Sequence, residues 1–532
     1  MAKPDLIANV PAPEEIRGAL EHIVASDIFR PSPQLGAFLR FVVEAALQGK
    51  SDTIKGYTIG VEALKRSPDF DPQIDPIVRV EATRLRRAME RYYAGPGADA
   101  AVVIELGRGS YVPSFSYRGA PSAVSPQLAP QELPPGNGMP TLLVQPFELL
   151  TAPDGVAISA ISLHEKLCDA FTRFDTINIV AGAAGAAAKV DHDYELMGSV
   201  EYRGDGTASV RFRLLDNRDG TVHWARVFDR LRVGEDRAAT EDAIVTELAA
   251  VLLQPFGVIR AHSRRKHLAT ASGDPRYRAI VEASESFRSF DRDQHMRARV
   301  SLEQLIAVHP DFVSGFSYLA ALYFREYQYG YAGQSGDPAI LDRALDLARR
   351  AIELKPESAR AYQILFGVLF ARHEVAAAFA AGDKAMALNP YDTTLLSDYG
   401  GRLVMTGEIR RGMEMLRRAN EFGTVRPSWQ HFYMFLGSYL SGDLVNTVYE
   451  ATQLTNADYP LGIMARALAA NMAGDRERAA IEIKKLMALG ADWSVNLRAQ
   501  LDKFFPVSAL AERLARDLEA AGLRAAPGAA RR

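Results

Sequence analysis

Apolar and polar side chains follow three successive patterns along this 532-residue chain. Up to about residue 93, apolar positions recur three and four residues apart, which predicts helices at about 14–26, 33–49, 55–65 and 76–93. Alternation replaces that spacing in VVIELGRGSYVPSFSY, a β-hairpin turning near Gly107-Arg108-Gly109. From residue 141, short apolar runs alternate with amphipathic segments. TLLVQPFEL reads as a buried strand, ISLHEKLCDAFTRF as a helix and INIVAG as a second strand. Three more strands follow in DYELMGSVEYRGDGTASVRFRLLDNRDGTVHWARVFDR, with turns at Gly204-Asp205-Gly206 and Asp219-Gly220, and then a long helix from about 237 to 264. From about 275 to 522 the pattern is helical throughout.

The segment IVRVEATRLRRAMERYY, residues 77–93, carries five arginines. On a helix, Val78, Ala82, Leu85 and Met89 share one stripe, which must be the buried side. Val80, Thr83, Arg84, Arg87 and Arg91 lie opposite, and Arg79 and Arg86 flank the stripe. Asp75-Pro76 suits the helix start, because Asp can cap and Pro fits the first turn. Such a face is either a solvated basic surface or a nucleic-acid recognition helix, and the second needs a frame. Helices followed by a hairpin are the winged helix-turn-helix plan, with the arginine helix third and the hairpin as wing.

Residues 119–140, GAPSAVSPQLAPQELPPGNGMP, hold six prolines and three glycines and read as a linker. The expected domains are therefore 1–118, a winged helix-turn-helix; 141–266, an α/β domain; and 275–522, an all-α repeat. Within the last, TGE, SGD and AGD recur at 406–408, 441–443 and 473–475, and Pro356, Pro390, Pro427 and Pro460 fall at helix junctions. A period near 34 with a Gly-acid turn is that of the tetratricopeptide repeat, whose stacks present a concave binding face. The repeat ending at Pro390 is degenerate: Gly382 stands where an aromatic is usual and Phe366 where a small residue is. The segment YFREYQYGYAG (323–333) reads as an aromatic loop interrupting the first repeats. Its Phe324, Tyr327, Tyr329 and Tyr331 are candidate partner or ligand residues, or a cover for the end of a helix pair.

Composition narrows the classes. Net charge is −3, so nothing global argues for nucleic acid. Between 79 and 91, however, five Arg stand against two Glu. One cysteine, Cys168, excludes an internal disulfide or a cysteine metal cluster and suits a reducing compartment. The N-terminus lacks the apolar core of a signal peptide, and no run of about 18 uncharged apolar residues appears. A cytoplasmic protein with no membrane contact is expected.

VRVEATRLRRAME followed by a hairpin ending GRGSYVP resembles the recognition helix and wing of OmpR/PhoB-type (CadC-like) winged-helix transcription factors. Val78, Val80, Ala82, Leu85 and Met89 match the apolar positions of that pattern; Thr83, Arg84, Arg86 and Arg87 match the polar ones. Asp69, Asp71 and Asp75 depart from it, since acidic residues before the helix would repel phosphate. Residues 141–266 resemble the TolB N-terminal-like domain through Pro146-Phe147, Gly198-Ser199-Val200 and Gly220 through Trp224 to Phe228-Asp229. The resemblances imply a one-component regulator binding double-stranded DNA as a homodimer or higher oligomer, with a protein or peptide partner on the repeat's concave face. Val80, Thr83, Arg84 and Arg87 would meet bases. Arg79, Arg86, Arg91 and Lys55 would meet phosphates, and Arg108 the adjacent groove or backbone. The rival expectation is a scaffold in which winged helix and repeats both dock proteins. GAAGAAAKV (182–190) lacks the Lys-Ser/Thr pair of a phosphate loop, DHD (191–193) reads as a solvated turn, and His164 and His223 read as packing or surface histidines. No catalytic residues, metal or cofactor are expected.

Overall fold

The structure is a computed structural model that describes residues 11–48, 50, 53–67, 70, 77–106, 111–117, 138–151, 158–182, 191–203, 205–232, 236–255, 257–269, 274–331, 336–421, 426–490 and 492–524. Arg108 and its turn, Asp69, Asp71 and Asp75, and most of the stretches 119–140 and 182–190 lie outside the described residues, as do the side chains of Arg79 and Thr83. The chain divides into two compact units, Met1–Gln131 and Glu132–Arg532.

The first unit comprises helices α1 (Pro13–Ala25) and α2 (Pro33–Leu47), a short α3 (Gly56–Thr58) leading into a π turn over Ile59–Ala63, and α4 (Ile77–Ala94). A hairpin follows, of β1 (Val102–Leu106) and β2 (Pro113–Tyr117). Val78, Ala82, Leu85 and Met89 are buried in one core with Ile16, Leu20, Phe38, Leu39 and Val42, because four-three spacing on each helix presents one apolar edge. The hairpin is tied to α4 by side chains. The Ile104 amide donates to the Tyr93 hydroxyl at 2.7 Å, and Arg86 Nε donates to the Leu106 carbonyl at 2.9 Å.

The second unit opens with a six-stranded mixed sheet: β3 (Thr141–Val144), β4 (Glu148–Leu149), β5 (Asn178–Ala181), β6 (Tyr194–Tyr202), β7 (Thr207–Asp216) and β8 (Val222–Arg232). Its order is β5-β3-β6-β7-β8, with β4 also beside β6. β3 runs parallel to both β5 and β6, and β6, β7 and β8 form an antiparallel meander. Helix α5 (Ala160–Phe171) and α6 (Arg237–Leu252) pack on it through Leu163, Leu167, Ile244 and Leu248. The residues of the Pro-Phe and Gly-Ser-Val motifs meet here. A Cβ on Gly198 would stand 2.6 Å from the Phe147 ring, so glycine makes the seat that Phe147 occupies, edge-on to Phe212.

The single helix expected over 237–264 is two, α6 and α7 (Val258–Ala269). Pro255 cannot continue the hydrogen-bond ladder, and at the break the buried Gln254 bonds the Tyr391 carbonyl and Thr394 hydroxyl. Helices α8 (Pro275–Ser289), α9 (Arg292–Val308), α10 (Val313–Tyr329), α11 (Pro338–Leu354), α12 (Ala359–Ala371), α13 (Val375–Leu388), α14 (Thr393–Met405), α15 (Ile409–Glu421), α16 (Ser428–Leu440), α17 (Leu444–Gln453), α18 (Pro460–Met472) and α19 (Arg476–Ala488) follow as consecutive pairs. The short α20 (Asp492–Val495), α21 (Leu497–Asp502) and α22 (Ser508–Ala520) close the end. The starts of α12, α14, α16 and α18 are 34, 35 and 32 residues apart, the tetratricopeptide plan. Gly407, Gly442 and Gly474 occupy the intra-pair turns with φ of 95°, 76° and 80°, where glycine avoids the Cβ penalty, and His373 takes the same left-handed region between α12 and α13.

The degenerate repeat is compensated within itself. A Cβ on Gly382 would lie 3.0 Å from the Tyr399 ring and 3.2 Å from the Phe366 ring, so the misplaced phenylalanine fills the volume that the glycine gives up. Sheet and helix pairs, expected as separate domains, belong to one unit. Asp175, before β5, receives Lys355 Nζ at 2.7 Å and the Ser358 hydroxyl at 2.5 Å, and Arg173 bonds the Leu388 carbonyl at 2.9 Å.

Candidate functional site

The first helices of the pairs turn one face inward, and that face lines a pocket of about 200 Å³. Tyr318, Phe324, Arg325 and Tyr329 come from α10, Arg360 and Phe370 from α12, Asp398 and Arg402 from α14, and Trp429, Phe432 and Tyr433 from α16. Tyr459, Lys503 and Phe504 add the C-terminal wall. Glycines bring the walls close. A Cβ on Gly367 would meet Arg402 Nη2 at 3.0 Å and Phe324 at 3.2 Å, and one on Gly401 would overlap the Tyr433 ring.

The charged lining is Arg325, Arg360, Arg402 and Lys503 against the single carboxylate of Asp398. Arg402 is 6% exposed, pairs with Asp398, and lies 4.6 Å above the Phe366 ring, with its Nε unbonded among the described residues. Arg325 stands over Phe290 at 4.3 Å, and Arg360 over Tyr318 at 5.1 Å. Arg360 donates to Gln363 at 2.7 Å, and its Nε has no bond among the described residues. Among those residues neither Arg325 nor Arg360 forms a salt bridge; beside the aromatic faces, Arg360 has Gln363 and the field of the Asp392 carboxylate, and Arg325 a hydrogen bond with Tyr329. Tyr318 reports the resulting field: burial opposes its ionisation, yet Arg260 and Arg360 outweigh it and hold the phenol below the ordinary tyrosine value. The arrangement suits a ligand that carries negative charge beside a flat or apolar group.

Of the aromatic residues singled out in the sequence, Phe324 and Tyr329 line this pocket; Tyr327 and Tyr331 do not. Residues 323–329 are not a loop but the last turns of α10, which ends at Gly330 with φ 70°. The helix persists because Glu326 pairs with Arg299 at 2.5 Å and Tyr323 bonds Glu303. Tyr331 stacks on the buried His295 ring at 4.4 Å. Arg325, Arg360 and Arg402 carry the charge of the site and were absent from the sequence reading. An arginine inside an apolar run, as in DYGGRLVM, was the available signal, since arginine is seldom buried without a task.

In the first unit, Val80, Arg84, Arg87 and Arg91 are exposed on α4, and Lys55 is exposed beside α3. Ile28, Ser32, Leu35, Arg84, Arg87 and Arg91 border a depression of about 570 Å³. Arg84 pairs with the buried Glu81 at 2.7 Å, which answers part of its charge. Arg86, expected to meet phosphate, is turned to the Leu106 carbonyl, because its place flanking the buried stripe brings it against the hairpin. On α5, His164 bonds the Val144 carbonyl at 3.1 Å, and the Cys168 thiol is pushed up to about 11 by burial, then by Asp169 and Glu165, which disfavours its thiolate. Among the described residues, no helix is long and apolar enough to cross a membrane.

No family profile matches the chain, and no curated protein matches it. Solved structures to which it is similar include PilF of Pseudomonas aeruginosa, at 15% identity and a TM-score of 0.28 over 40% of this chain and 92% of that one. YrrB, a TPR protein with an unusual peptide-binding site, is 18% identical with a TM-score of 0.24 over 37% of this chain and 97% of that one. An IFIT1 mutant with Gppp-AAAA gives 12% and 0.35 over 54% and 66%. At such scores the assignment of residues 275–522 as a helix-pair repeat rests on the period and pairing of this chain's own helices.

Proposed function

We propose that the protein acts by binding rather than by catalysis, and that its helix-pair repeat is a receptor for an acidic segment of a partner polypeptide. The observation that carries this reading is the pocket: an inner face whose three arginines rest on aromatic rings, two of them without a salt bridge among the described residues. A carboxylate entering it exchanges water for planar, multidentate donors, while an adjacent apolar side chain covers Phe324 or Trp429. The full chain, exposed to an array of peptides differing in acidic content and in the position of one aromatic residue, is expected to retain acidic sequences and release their amide analogues. Equal retention of both would defeat the reading.

A second reading is favoured by the exposed face of α4. Helices and a hairpin follow one another in the order a winged helix requires, and Val80, Arg84, Arg87 and Arg91 are exposed on α4. In this reading the first unit contacts double-stranded DNA, two copies occupy adjacent half-sites, and the repeat governs how they are held. Arg91→Ala should weaken binding to all duplexes alike and reduce the salt slope by about one. Arg87→Ala should cost about 1–3 kcal/mol at a preferred sequence only. Duplex anisotropy that is unaltered by either change would leave the first unit as a protein-docking module of a scaffold.

A further inference from the structure

Away from the pocket, three side chains from different elements converge at the end of the sheet. Asp216 ends β7, His223 follows the next turn into β8, and His262 projects from α7. Their ligand atoms all lie within 4.8 Å of one another. The Nε2 atoms of both histidines stand 3.9 Å from the same oxygen, Oδ2 of Asp216, which is too long for a hydrogen bond. Asp216 is nearly buried, at 8% side-chain exposure, and the two rings are at 20% and 16%. The His223 Nε2 is buried and finds no hydrogen-bond donor or acceptor among the described residues, which is costly for an imidazole nitrogen with nothing to bind.

The surroundings orient this group. Tyr194, fully buried in β6, holds His262 Nδ1 at 2.9 Å and the Ser263 hydroxyl at 2.8 Å, which directs the opposite nitrogen of His262 toward Asp216. The other carboxylate oxygen of Asp216 accepts the Arg218 amide at 2.9 Å, fixing the plane in which Oδ2 points. Outer hydrogen bonds of this kind set the tautomer and direction of metal-bound imidazoles. Two bonds of about 2.1 Å at the tetrahedral angle place their ligand atoms about 3.4 Å apart, so around an ion each Nε2–Oδ2 distance would shorten by about half an ångström while the two rings, now 3.9 Å apart between centroids, splay.

We propose that Asp216, His223 and His262 form a binding site for one divalent transition-metal ion of the zinc type. Two neutral imidazoles and a carboxylate match the donor preference of such ions over calcium or magnesium, and three ligands leave a further coordination position open. The site is independent of the pocket reading, since it shares no residue with it.

Cobalt(II) added to the full-length, tag-free chain tests this directly. One equivalent is expected to bind, with the intense visible absorption of low-coordinate cobalt, and to be displaced by zinc. His223→Ala and Asp216→Asn should each abolish that spectrum while the far-UV circular dichroism stays unchanged. Tyr194→Phe, which removes the hydroxyl that holds His262 and Ser263, should weaken binding about tenfold. Absence of the spectrum in the wild-type chain, or its persistence in His223→Ala, would overturn the proposal.

Discussion

Replacing Asp398 by asparagine tests whether the pocket's charge is held as described. Arg402 is nearly fully buried, and its pairing carboxylate is Asp398, which also receives the Tyr433 hydroxyl at 3.2 Å. Burial works against the guanidinium, yet Asp398 and Tyr433 outweigh it and keep Arg402 above its ordinary pKa. Asp398→Asn therefore leaves a buried cation without its counter-charge, a change that costs about 3–5 kcal/mol. Arg402→Met combined with Asp398→Asn removes both members of the pair, keeps a linear apolar stem over Phe366, and should return to within about 1 kcal/mol of wild type. Urea unfolding followed through Trp429, in a background where Trp224 and Trp493 are phenylalanine, yields all four corners of the cycle. The substitution has a second, opposite effect on binding. With the only lining carboxylate gone, folded Asp398→Asn should hold an acidic peptide more tightly than wild type. A stability loss below about 1 kcal/mol, or weaker binding of the acidic peptide, would refute this reasoning.

Burial, then Arg325 and Arg299, push His295 down to about 3, so the folded chain keeps it neutral while the unfolded chain takes up a proton below about pH 6.5. Stability should then fall as pH drops from 6.5 toward 3, by at most about 1.4 kcal/mol per pH unit, and His295→Leu should flatten urea midpoints measured between pH 7 and 5; parallel curves would show that His295 is not held neutral. Phe366→Ala should cost about 3–5 kcal/mol, with part recovered by adding Gly382→Phe, and denaturation midpoints showing no recovery would mean that the two positions do not exchange volume. In the first unit, a Cβ on Gly60 would overlap the Phe70 ring, so Gly60→Ala should lower stability by about 1–3 kcal/mol in thermal scans, and an unchanged midpoint would exclude that packing.

The features legible in the sequence were those with local periodicity. The stripe of Val78, Ala82, Leu85 and Met89 and the strands of the sheet follow from spacing, since each face is set by residues a few positions apart. The helix break at Pro255 was masked by good helical spacing on either side. The aromatic segment 323–333 reads as a loop in sequence, whereas long-range partners such as Arg299 and Tyr459 hold its residues 323–329 helical. The pocket arginines were illegible for a related reason: Arg325, Arg360 and Arg402 belong to three different helix pairs, and only the stacking of the pairs brings them together. Asp216, His223 and His262 are likewise gathered by the sheet and α7, with no motif spacing to announce them. Pairwise chemistry across the fold is what a single sequence conceals.

In the proposed function, the inner face of the repeat captures an acidic segment through Arg325, Arg360 and Arg402. The most direct test is titration of the best acidic peptide from the array into the full chain, read through Trp429 fluorescence, for wild type and Arg360→Ala. The Arg360 guanidinium lines the pocket over Tyr318 without an ion-pair partner among the described residues, so its loss should leave the fold intact. Wild type should show a saturable change that weakens with salt, and Arg360→Ala should lose at least tenfold in affinity, about 1.4 kcal/mol. An identical titration in both proteins would show that Arg360 takes no part in capturing the acidic segment.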